Sequence, residues 1–504
     1  MMSHASCPPA ESGAMHKRTF MITRKCFYRG GLAIALALLL SACASVPRSE
    51  SVNTLDQLLN DPVLEGSLVS LTVRDADTGT TLYQRNGMTR LLPASGLKLL
   101  TTAAAMEVLG AEFGFSTQVL TAGQLKGDRL DGDLYLRGSG DPSIQAEDYQ
   151  RLAADLAALG IKRVRGNVLI DDTAFDSVRL GVDWANDDES AAYAAQISAL
   201  SLSPDSDFDA GTVIVTARAT VEGDQVVVNI HPANTIMTVT NSVTIGAANT
   251  LRVSREHGSN RLLVSGTLPA GTAARKWVSV WEPTRLVADV FHRALIAQGI
   301  KVDGRTVIGV TTPSGARPLA AHDSLPLAQL LTPLLKLSNN NMTEVLLKTM
   351  GRSTGNVGTA ESGIAVVNSF LQRHGLQGSA IVQVDGSGLS RRNLISTQSL
   401  TDLLLRVRHQ PWFDYWYAAL PIAGNPERML GGTLRNRLRG TFAQDNLHAK
   451  TGTMTAVSSL SGYLRSVEGR ALVFAMISNN YLAEGAAVKS LEDKVAVALT
   501  QWSD

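Results

Sequence analysis

Cysteine, long apolar runs and an excess of charge of either sign are missing from most of this chain of 504 residues. Cys7, Cys26 and Cys43 are its three cysteines, so the sequence after residue 43 cannot form an internal disulfide. The 46 basic and 45 acidic residues leave a net charge of +1, which gives no basic excess for a nucleic-acid partner. After the first 42 residues, no apolar run reaches the ~20 residues that a transmembrane helix needs. The nine histidines show no metal-ligand spacing, so we expect neither a metal nor another cofactor.

The first 43 residues have the pattern of a secretory signal. An uncharged apolar run at residues 31–40 is too short to span a bilayer but is typical of a signal peptide. It ends in Leu40-Ser41-Ala42-Cys43, which resembles a bacterial lipobox; an ordinary secretory signal that ends near a cysteine is the alternative. We predict cleavage before Cys43, lipidation of Cys43, and a periplasmic protein anchored to a membrane by its lipid. Ala44 stands where an Asp would retain a lipoprotein at the inner membrane, which favours the outer membrane.

Three regions with different residue patterns follow the signal. Residues 67–74 alternate apolar and polar side chains and predict a half-buried strand, and residues 95–109 predict a helix. From about residue 115 to 313, short β-like runs recur between Gly- and Asp-containing turns, which indicates a β-rich insertion. The C-terminal third is predicted as mixed α/β, with helices at 327–332, 343–350 and 486–502 and strands at 446–451, 458–465 and 471–478.

The first motif is Ser95-Gly96-Leu97-Lys98, at the start of the predicted helix. An i, i+3 spacing places Ser95 and Lys98 on one helical face. A lysine held beside a serine, with its pKa lowered by its surroundings, can accept the serine proton. By itself the motif is weak, because S-x-x-K occurs by chance in many chains.

Two further motifs lie in the C-terminal third. In Ser338-Asn339-Asn340, the hydroxyl can relay a proton and the last amide can hold a carbonyl group and a lysine. In Lys450-Thr451-Gly452-Thr453, the cation and the hydroxyls can bind a carboxylate, and Gly452 lets a substrate approach a strand edge. Taken singly, each also fits an ordinary turn.

Together, the three motifs match S-x-x-K, S-D-N and K-T-G of penicillin-binding proteins and class A β-lactamases, in that order. The chain resembles the class C, low-molecular-mass penicillin-binding proteins, the D-alanyl-D-alanine carboxypeptidase/endopeptidase family, from about residue 55 to 502. Asn339 in place of Asp, and Gly96 in place of a larger residue, depart from the usual pattern. The stretches that carry the resemblance are residues 93–102, 132–143, 336–347, 385–391, 432–438 and 449–453.

The resemblance implies an α/β (α+β) penicillin-recognising, transpeptidase-like fold. We expect an antiparallel sheet flanked by helices, interrupted by a large β-rich insertion that forms one or two extra domains. The predicted divisions are a signal peptide at 1–42, a tether at 43–54, a catalytic domain at 55–114 and 315–504, an inserted domain at 115–145 and 195–314, and a second inserted domain at 146–194.

The resemblance also implies roles for individual residues. Ser95 is expected to attack the D-Ala-D-Ala or cross-link carbonyl, with Lys98 as general base and with backbone N–H groups of Ser95 and Thr453 as the oxyanion hole. Ser338 and Lys450 would pass a proton to the leaving amine, and Asn340 would orient Lys98 and the substrate. The residues expected to bind the substrate's terminal carboxylate or to let it approach closely are Thr451, Gly452 and Thr453.

The most detailed expectation from the resemblance is a pocket for a side chain of the substrate. Asp188, four residues after Trp184 and five before Tyr193, matches an acid that in relatives accepts the ammonium of diaminopimelate. Arg391 would bind the neighbouring carboxylate. Asp187 competes with Asp188 for this role, and a solvated acidic turn is the alternative to a pocket.

Three other functions compete with peptidase action. The same site could serve a β-lactamase or an esterase, which the long insertion argues against. A catalytically silent wall-binding lipoprotein would not need the complete set of motif residues, and a generic α/β domain would carry them by chance. β-Lactams are expected as inhibitors and peptidoglycan peptides as substrates, with the balance between carboxypeptidase and endopeptidase action left open.

Overall fold

The computed structural model describes residues 49–220, 226–355, 357–376 and 380–503. The predicted signal peptide and Cys43 lie outside these ranges. Within them, each helix is too short or too polar to cross a bilayer.

The helices that the described residues form are α1 (Glu50–Leu58), α2 (Lys98–Leu109), α3 (Ala146–Ala158), α4 (Pro283–Ala297), α5 (Leu327–Leu337), α6 (Asn340–Arg352), α7 (Ala360–Arg373), α8 (Thr397–Val407), α9 (Phe413–Ala418), α10 (Arg428–Gly431) and α11 (Gly485–Thr500). The strands are β1 (Leu68–Asp75), β2 (Thr81–Arg85), β3 (Ser116–Thr121), β4 (Gln124–Lys126), β5 (Arg129–Asp131), β6 (Leu134–Gly138), β7 (Arg163–Val164), β8 (Val168–Asp171), β9 (Thr212–Ala219), β10 (Val226–His231), β11 (Thr238–Ile245), β12 (Arg252–Arg255), β13 (Arg261–Leu268), β14 (Ala273–Ser279), β15 (Lys301–Val302), β16 (Thr306–Ile308), β17 (Arg317–Asp323), β18 (His448–Met454), β19 (Val457–Arg465) and β20 (Ala471–Asn479).

A five-stranded antiparallel sheet, in the order β18-β19-β20-β1-β2, forms the frame of the site. Its central strand, β20, is buried at every position, because helices cover both faces of the sheet. On one face α11 buries Val488, Leu491 and Val495 against the strands. On the other face α2, α5, α6 and α8 share one apolar core with the sheet. This arrangement agrees with the predicted antiparallel sheet flanked by helices.

The insertion occupies the chain between α2 and α5. Its main sheet has the order β16-β8-β6-β3-β17, with a smaller sheet β15-β7-β5-β4 beside it. Helices α3 and α4 pack together and share an apolar core with these strands. Strands β9 to β14 form two further three-stranded sheets, β10-β9-β14 and β11-β13-β12.

Strand pairing in the insertion runs across the predicted divisions of the chain. Strand β8, from the predicted second domain at 146–194, pairs in parallel with β6 from the range 115–145, with Leu134 opposite Val168. Strand β17 (Arg317–Asp323) pairs with β3, so this sheet extends past residue 314. Hydrogen-bonded sheets therefore cross the predicted boundaries after residues 145 and 314, which had been placed from the residue pattern alone.

Two local predictions also need correction. The tether was expected to reach residue 54, but α1 begins at Glu50 and Ser49 caps it by accepting a hydrogen bond from the N–H of Val52. Helix α5 was expected to stop before Pro333, which lacks an N–H donor. It continues to Leu337 because Leu334 and Leu335 are buried in the core, and this burial outweighs the lost hydrogen bond.

Candidate active site

Ser95 and Lys98 meet where a short 3-10 turn, Ala94–Leu97, leads into α2. The i, i+3 spacing brings Nζ of Lys98 to 2.9 Å from Oγ of Ser95. Lys98 is fully buried, whereas Ser95 is half-buried and faces a cleft. The predicted pair therefore forms a hydroxyl that a substrate can reach and an amine that water cannot surround.

Burial controls the charge of Lys98. Its Nζ also donates to Oδ1 of Asn340 at 2.5 Å and to the carbonyl oxygen of Ser387 at 2.8 Å. Burial lowers the pKa of Lys98 to about 7, although the carboxylates of Glu344 and Asp385 act in the opposite direction. An amine with such a pKa is available as a neutral base near pH 7.

A second buried lysine lies across the cleft, on strand β18. Nζ of Lys450 donates to Oγ of Ser338 at 2.8 Å and to the carbonyl oxygen of Thr451 at 2.6 Å. Burial holds the pKa of Lys450 well below its ordinary value, and the charge of Lys98 adds to the effect. Ser338 follows α5 in the left-handed region, at φ +63°. The second and third motifs thus meet as a lysine–hydroxyl pair.

Asn340 links the insertion to the pair formed by Ser95 and Lys98. It begins α6, and its Nδ2 donates to the carbonyl oxygen of Tyr193 at 2.8 Å while its Oδ1 accepts from Lys98. Because each amide atom has a partner of matching character, the orientation of the amide is fixed.

Two buried carboxylates support this arrangement, and sequence reasoning assigned them no role. Glu344, one turn after Asn340 on α6, accepts from the backbone N–H groups of Gly386 and Ser387 at 2.9 and 2.7 Å. Burial and the charge of Asp385 raise the pKa of Glu344 above its ordinary value. Since Ser387 in turn accepts from Lys98, Glu344 fixes the loop that holds the amine.

Asp385 ties the same loop to the insertion. Its carboxylate accepts from the backbone N–H groups of Gly388 and Ser390 at 2.8 and 2.6 Å, and from Nε1 of Trp184 at 3.0 Å. Both acids stand in stretches that carried the family resemblance. Their burial and mutual proximity, however, depend on contacts between distant segments.

Glycines allow the motifs to approach closely. A Cβ at Gly452 would lie 2.6 Å from the carbonyl oxygen of Pro93, so a side chain there would push β18 away from the turn that carries Ser95. A Cβ at Gly96 would lie 3.1 Å from Oγ of Ser459. The departure at Gly96 therefore suits the close contact between this turn and β19.

The cleft between the lysines has a volume of about 450 Å³. Ser95, Ser338 and Asn340 line its floor. The predicted substrate-binding residues that line it are Asp188, Tyr193, Arg391 and Thr453. Thr451 lies beside the cleft lining, and its hydroxyl donates to Oγ1 of Thr433 at 2.8 Å.

The predicted side-chain pocket lies at the rim of this cleft. The hydroxyl of Tyr193 donates to Oδ1 of Asp188 at 2.5 Å, and burial together with Asp188 raises the pKa of Tyr193 to about 12. The guanidinium of Arg391 donates to the carbonyl oxygen of Thr455 at 2.8 Å. Asp188 lines the cleft while Asp187 is exposed, which favours Asp188 as the pocket acid. In the described ranges, no cluster of three or more His, Cys, Asp or Glu residues is arranged to hold a metal ion.

Comparison with known proteins places this site in a family. The chain is 41% identical over 456 residues to a D-alanyl-D-alanine carboxypeptidase from Actinomadura sp. (strain R39), a match that covers 89% of this chain and 84% of that protein. The crystal structure of penicillin-binding protein 4 from Haemophilus influenzae matches with a TM-score of 0.77 at 25% identity, over 90% of this chain and 100% of that one. The same Haemophilus protein in complex with a β-lactam matches with a TM-score of 0.71 at 25% identity, over 89% of this chain and 98% of that one.

These matches include the insertion as well as the five-stranded sheet. A sequence model of the D-Ala-D-Ala carboxypeptidase 3 (S13) family matches residues 51–502, which contain all three motifs and the insertion between the first and the second. The recognition made from the motifs is confirmed: the chain belongs to the D-Ala-D-Ala carboxypeptidase 3 (S13) family.

Proposed function

We propose that this protein is a serine-type D-Ala-D-Ala carboxypeptidase and endopeptidase, which hydrolyses peptidoglycan stem peptides and cross-links through an acyl-enzyme on Ser95. The observation that carries the proposal is the 2.9 Å contact between Oγ of Ser95 and the buried amine of Lys98, at the floor of an open cleft. Family membership supports the carboxypeptidase activity. Endopeptidase action would use the same chemistry on the D-alanyl bond of a cross-link.

Acylation begins with neutral Lys98 as base. It takes the proton of Ser95 as Oγ attacks the carbonyl carbon, so a C–O bond forms and the carbonyl π pair moves to oxygen. Backbone N–H groups of Ser95 and Thr453 receive this oxyanion, the type of stabilisation that contributes most to acyl transfer.

Breakdown of the tetrahedral intermediate expels the amine of the leaving D-alanine. The Ser338–Lys450 pair delivers a proton to this nitrogen as the C–N bond breaks, since Lys450 donates to the Ser338 hydroxyl. Thr451 and Thr453 hold the departing carboxylate. Water then attacks the ester carbonyl and gives one proton back to the Ser338–Lys450 pair. Protonated Lys98 returns the other proton to Oγ of Ser95 as the ester C–O bond breaks, which releases the shortened peptide.

Residues at the rim of the cleft select the substrate. A diaminopimelate side chain ends in an ammonium and a carboxylate, and it needs one anion and one cation for recognition. Asp188 and Arg391 supply these charges on the lining of one cleft, and Tyr193 orients the Asp188 carboxylate. Charge-assisted hydrogen bonds of this kind are the stronger ones.

The location of the protein follows from its N-terminal motif. Cys43 carries lipid and anchors the mature chain on the periplasmic side of a membrane, with the outer membrane favoured by Ala44. Cys43→Ser should then remove the protein from the lipoprotein fraction, because stable anchoring requires acyl chains. A free Cys43 thiol in the mature protein, identified by mass spectrometry, would contradict this location.

Labelling and digestion together test the proposed reaction. Labelled penicillin should attach at Ser95, as identified by peptide mass. Ser95→Ala should abolish labelling because, among the described residues, the Ser95 hydroxyl is the one that accepts from Nζ of Lys98. Purified muropeptides should lose D-alanine, and dimers should yield monomers. Full labelling of Ser95→Ala would show that the nucleophile is wrong, and rapid turnover of penicillin without release of D-alanine would indicate a β-lactamase.

A further inference from the structure

Asn339 is the motif position at which this chain departs from the common Asp, and its side chain contacts the insertion. Nδ2 of Asn339 donates to Oδ1 of Asp209 at 3.0 Å and to the carbonyl oxygen of Phe208 at 2.8 Å. Oδ1 of Asn339 accepts from the N–H of Met342 at 3.0 Å and so caps α6. The amide therefore satisfies two acceptors and one donor while it is buried.

Asp209 lies in a loop of the insertion that precedes β9, and its environment differs from that of its acidic neighbours. Asp207 pairs with Arg428, and Asp205 accepts from Nε1 of Trp277 at 3.1 Å. Asp209 instead directs its carboxylate at the amide of Asn339. Burial, then Asp207 and Asp205, raise the pKa of Asp209 to about 6, with Arg428 opposing.

We propose that Asp209 is a positioning residue that the insertion contributes to the second motif, and that asparagine at position 339 is the neutral partner matched to this carboxylate. The inference deepens the proposed function and rests on it, because Asn339 acts through its neighbours. Ser338 on one side contacts Lys450, and Asn340 on the other contacts Lys98. Holding Asn339 in place therefore also holds Ser338 beside Lys450 and Asn340 beside Lys98, the two lysines that transfer protons.

Chemistry explains why the usual Asp does not suit this site. A carboxylate at position 339 could still cap α6, but it could donate neither to Asp209 nor to the carbonyl oxygen of Phe208. It would also place two carboxylates about 3 Å apart in a buried setting, where both cannot ionise. Phe208 is a bulky residue at φ +59°, and the hydrogen bond from Asn339 helps to hold this strained backbone.

A charge-exchange experiment tests the pairing through the rate at which penicillin acylates Ser95. At about pH 7.5, above the pKa of about 6 of Asp209, Asn339→Asp should slow acylation by about 5- to 150-fold, the range for leaving buried polar groups unpaired. Asn339→Asp with Asp209→Asn should recover at least half of this loss on a logarithmic scale, because the new amide donates to the new carboxylate. Asn339→Asp with Asp207→Asn is the matched control and should recover nothing.

The pH dependence distinguishes the proposed role from simple misfit. Below about pH 6 the two carboxyls of Asn339→Asp can share a proton, so its deficit relative to wild type should shrink, and the charge-exchange pair should show no such trend. Asp205 and Asp207 on the same loop, and Arg428 on α10, face this position. Asp207 changes only in the matched control, and Asp205 and Arg428 are unchanged in every variant. A misfit of shape would leave the deficit constant with pH.

Several results would overturn the pairing. They are wild-type rates for Asn339→Asp, failure of Asp209→Asn to restore them, or equal rescue by Asp207→Asn. If Asn339→Asp does not fold, as judged by thermal unfolding, Asp209→Ala replaces it; about fivefold or greater loss of acylation is expected, and an unchanged rate refutes the role. Labelling of wild-type Ser95, lost in Ser95→Ala, stands as the separate criterion for the proposed function.

Discussion

Lys98 and Lys450 at the floor of the cleft are fully buried, whereas Tyr193 at its rim is 50% exposed and Arg391 is also exposed. At the floor, Lys98 contacts the nearby Ser95 hydroxyl and oxygens from distant segments, and Lys450 contacts the hydroxyl of the distant Ser338. At the rim, the side chains of Asp188 and Tyr193 share one hydrogen bond and that of Arg391 makes another, within reach of water.

This difference separates catalysis from substrate choice. Charges that water cannot screen interact strongly and shift each other's pKa, so a change at the floor should alter the reaction for every substrate. Charges near water interact weakly, so a change at the rim should affect only substrates that bring a complementary group. Four substitutions test this separation.

Lys98→Ala should have the largest effect. Removing the base leaves Ser95 with a hydroxyl that no neighbouring amine can deprotonate, and acylation by penicillin should slow by on the order of 10³-fold or more. The rate of labelled-penicillin attachment measures it, with thermal unfolding as the check on folding. A rate within about tenfold of wild type would mean that another group is the base.

Asp188→Ala should have the next largest effect, and for one substrate class. Loss of the partner of the substrate ammonium should lower kcat/KM on a peptide with free diaminopimelate by about 5- to 150-fold, from the cost of an unpaired charge. A peptide whose distal amine is acetylated, and penicillin, should react as with wild type. Asp187→Ala is the matched control and should leave the preference intact. Equal preference in wild type and Asp188→Ala would exclude the pocket.

Glu344→Gln should change the pH dependence more than the maximal rate. Acylation requires neutral Lys98, so its rate should rise with pH through about 7 and then level off. Because the carboxylate of Glu344 raises the pKa of Lys98 against the effect of burial, the substitution should lower that pKa and move the rise to lower pH. The midpoint of the pH–rate profile measures the shift, and an unmoved or higher midpoint would argue against this electrostatic role.

Tyr193→Phe should have the smallest effect and sharpens the contrast most. It removes the hydroxyl that orients Asp188 but keeps the carbonyl oxygen that accepts from Asn340. The expected loss is about 2- to 10-fold on the free-amine peptide, the net value of one hydrogen bond, with penicillin acylation unchanged. Tyr415→Phe, at an exposed tyrosine of α9, is the control. Slower penicillin acylation would show that the rim and the floor are not separable.

Sequence reasoning succeeded where neighbours along the chain carry the information. The spacing of Ser95 and Lys98 predicted a shared helical face, and the structure places their reactive atoms 2.9 Å apart. Alternation at residues 67–74 predicted a half-buried strand, and β1 spans Leu68–Asp75. The half-buried part of that prediction is wrong, because six of the eight positions are buried. Sequence reasoning did not predict which strands of the insertion pair, because β6 and β8 pair across the intervening helix α3.

By itself, the sequence determined the family, the order of the three motifs and the residue types available for acyl transfer, since these depend on identity and spacing. Tertiary structure alone decided that Glu344 and Asp385 are buried beside Lys98, that Asp188 rather than Asp187 lines the cleft, and that Asn339 meets Asp209. The physical reason is that a pKa, a pocket and a hydrogen bond depend on the distance between segments and on the exclusion of water. The periodicity of a helix or a strand relates residues a few positions apart. It therefore predicts neither the distance between distant segments nor the exclusion of water from between them.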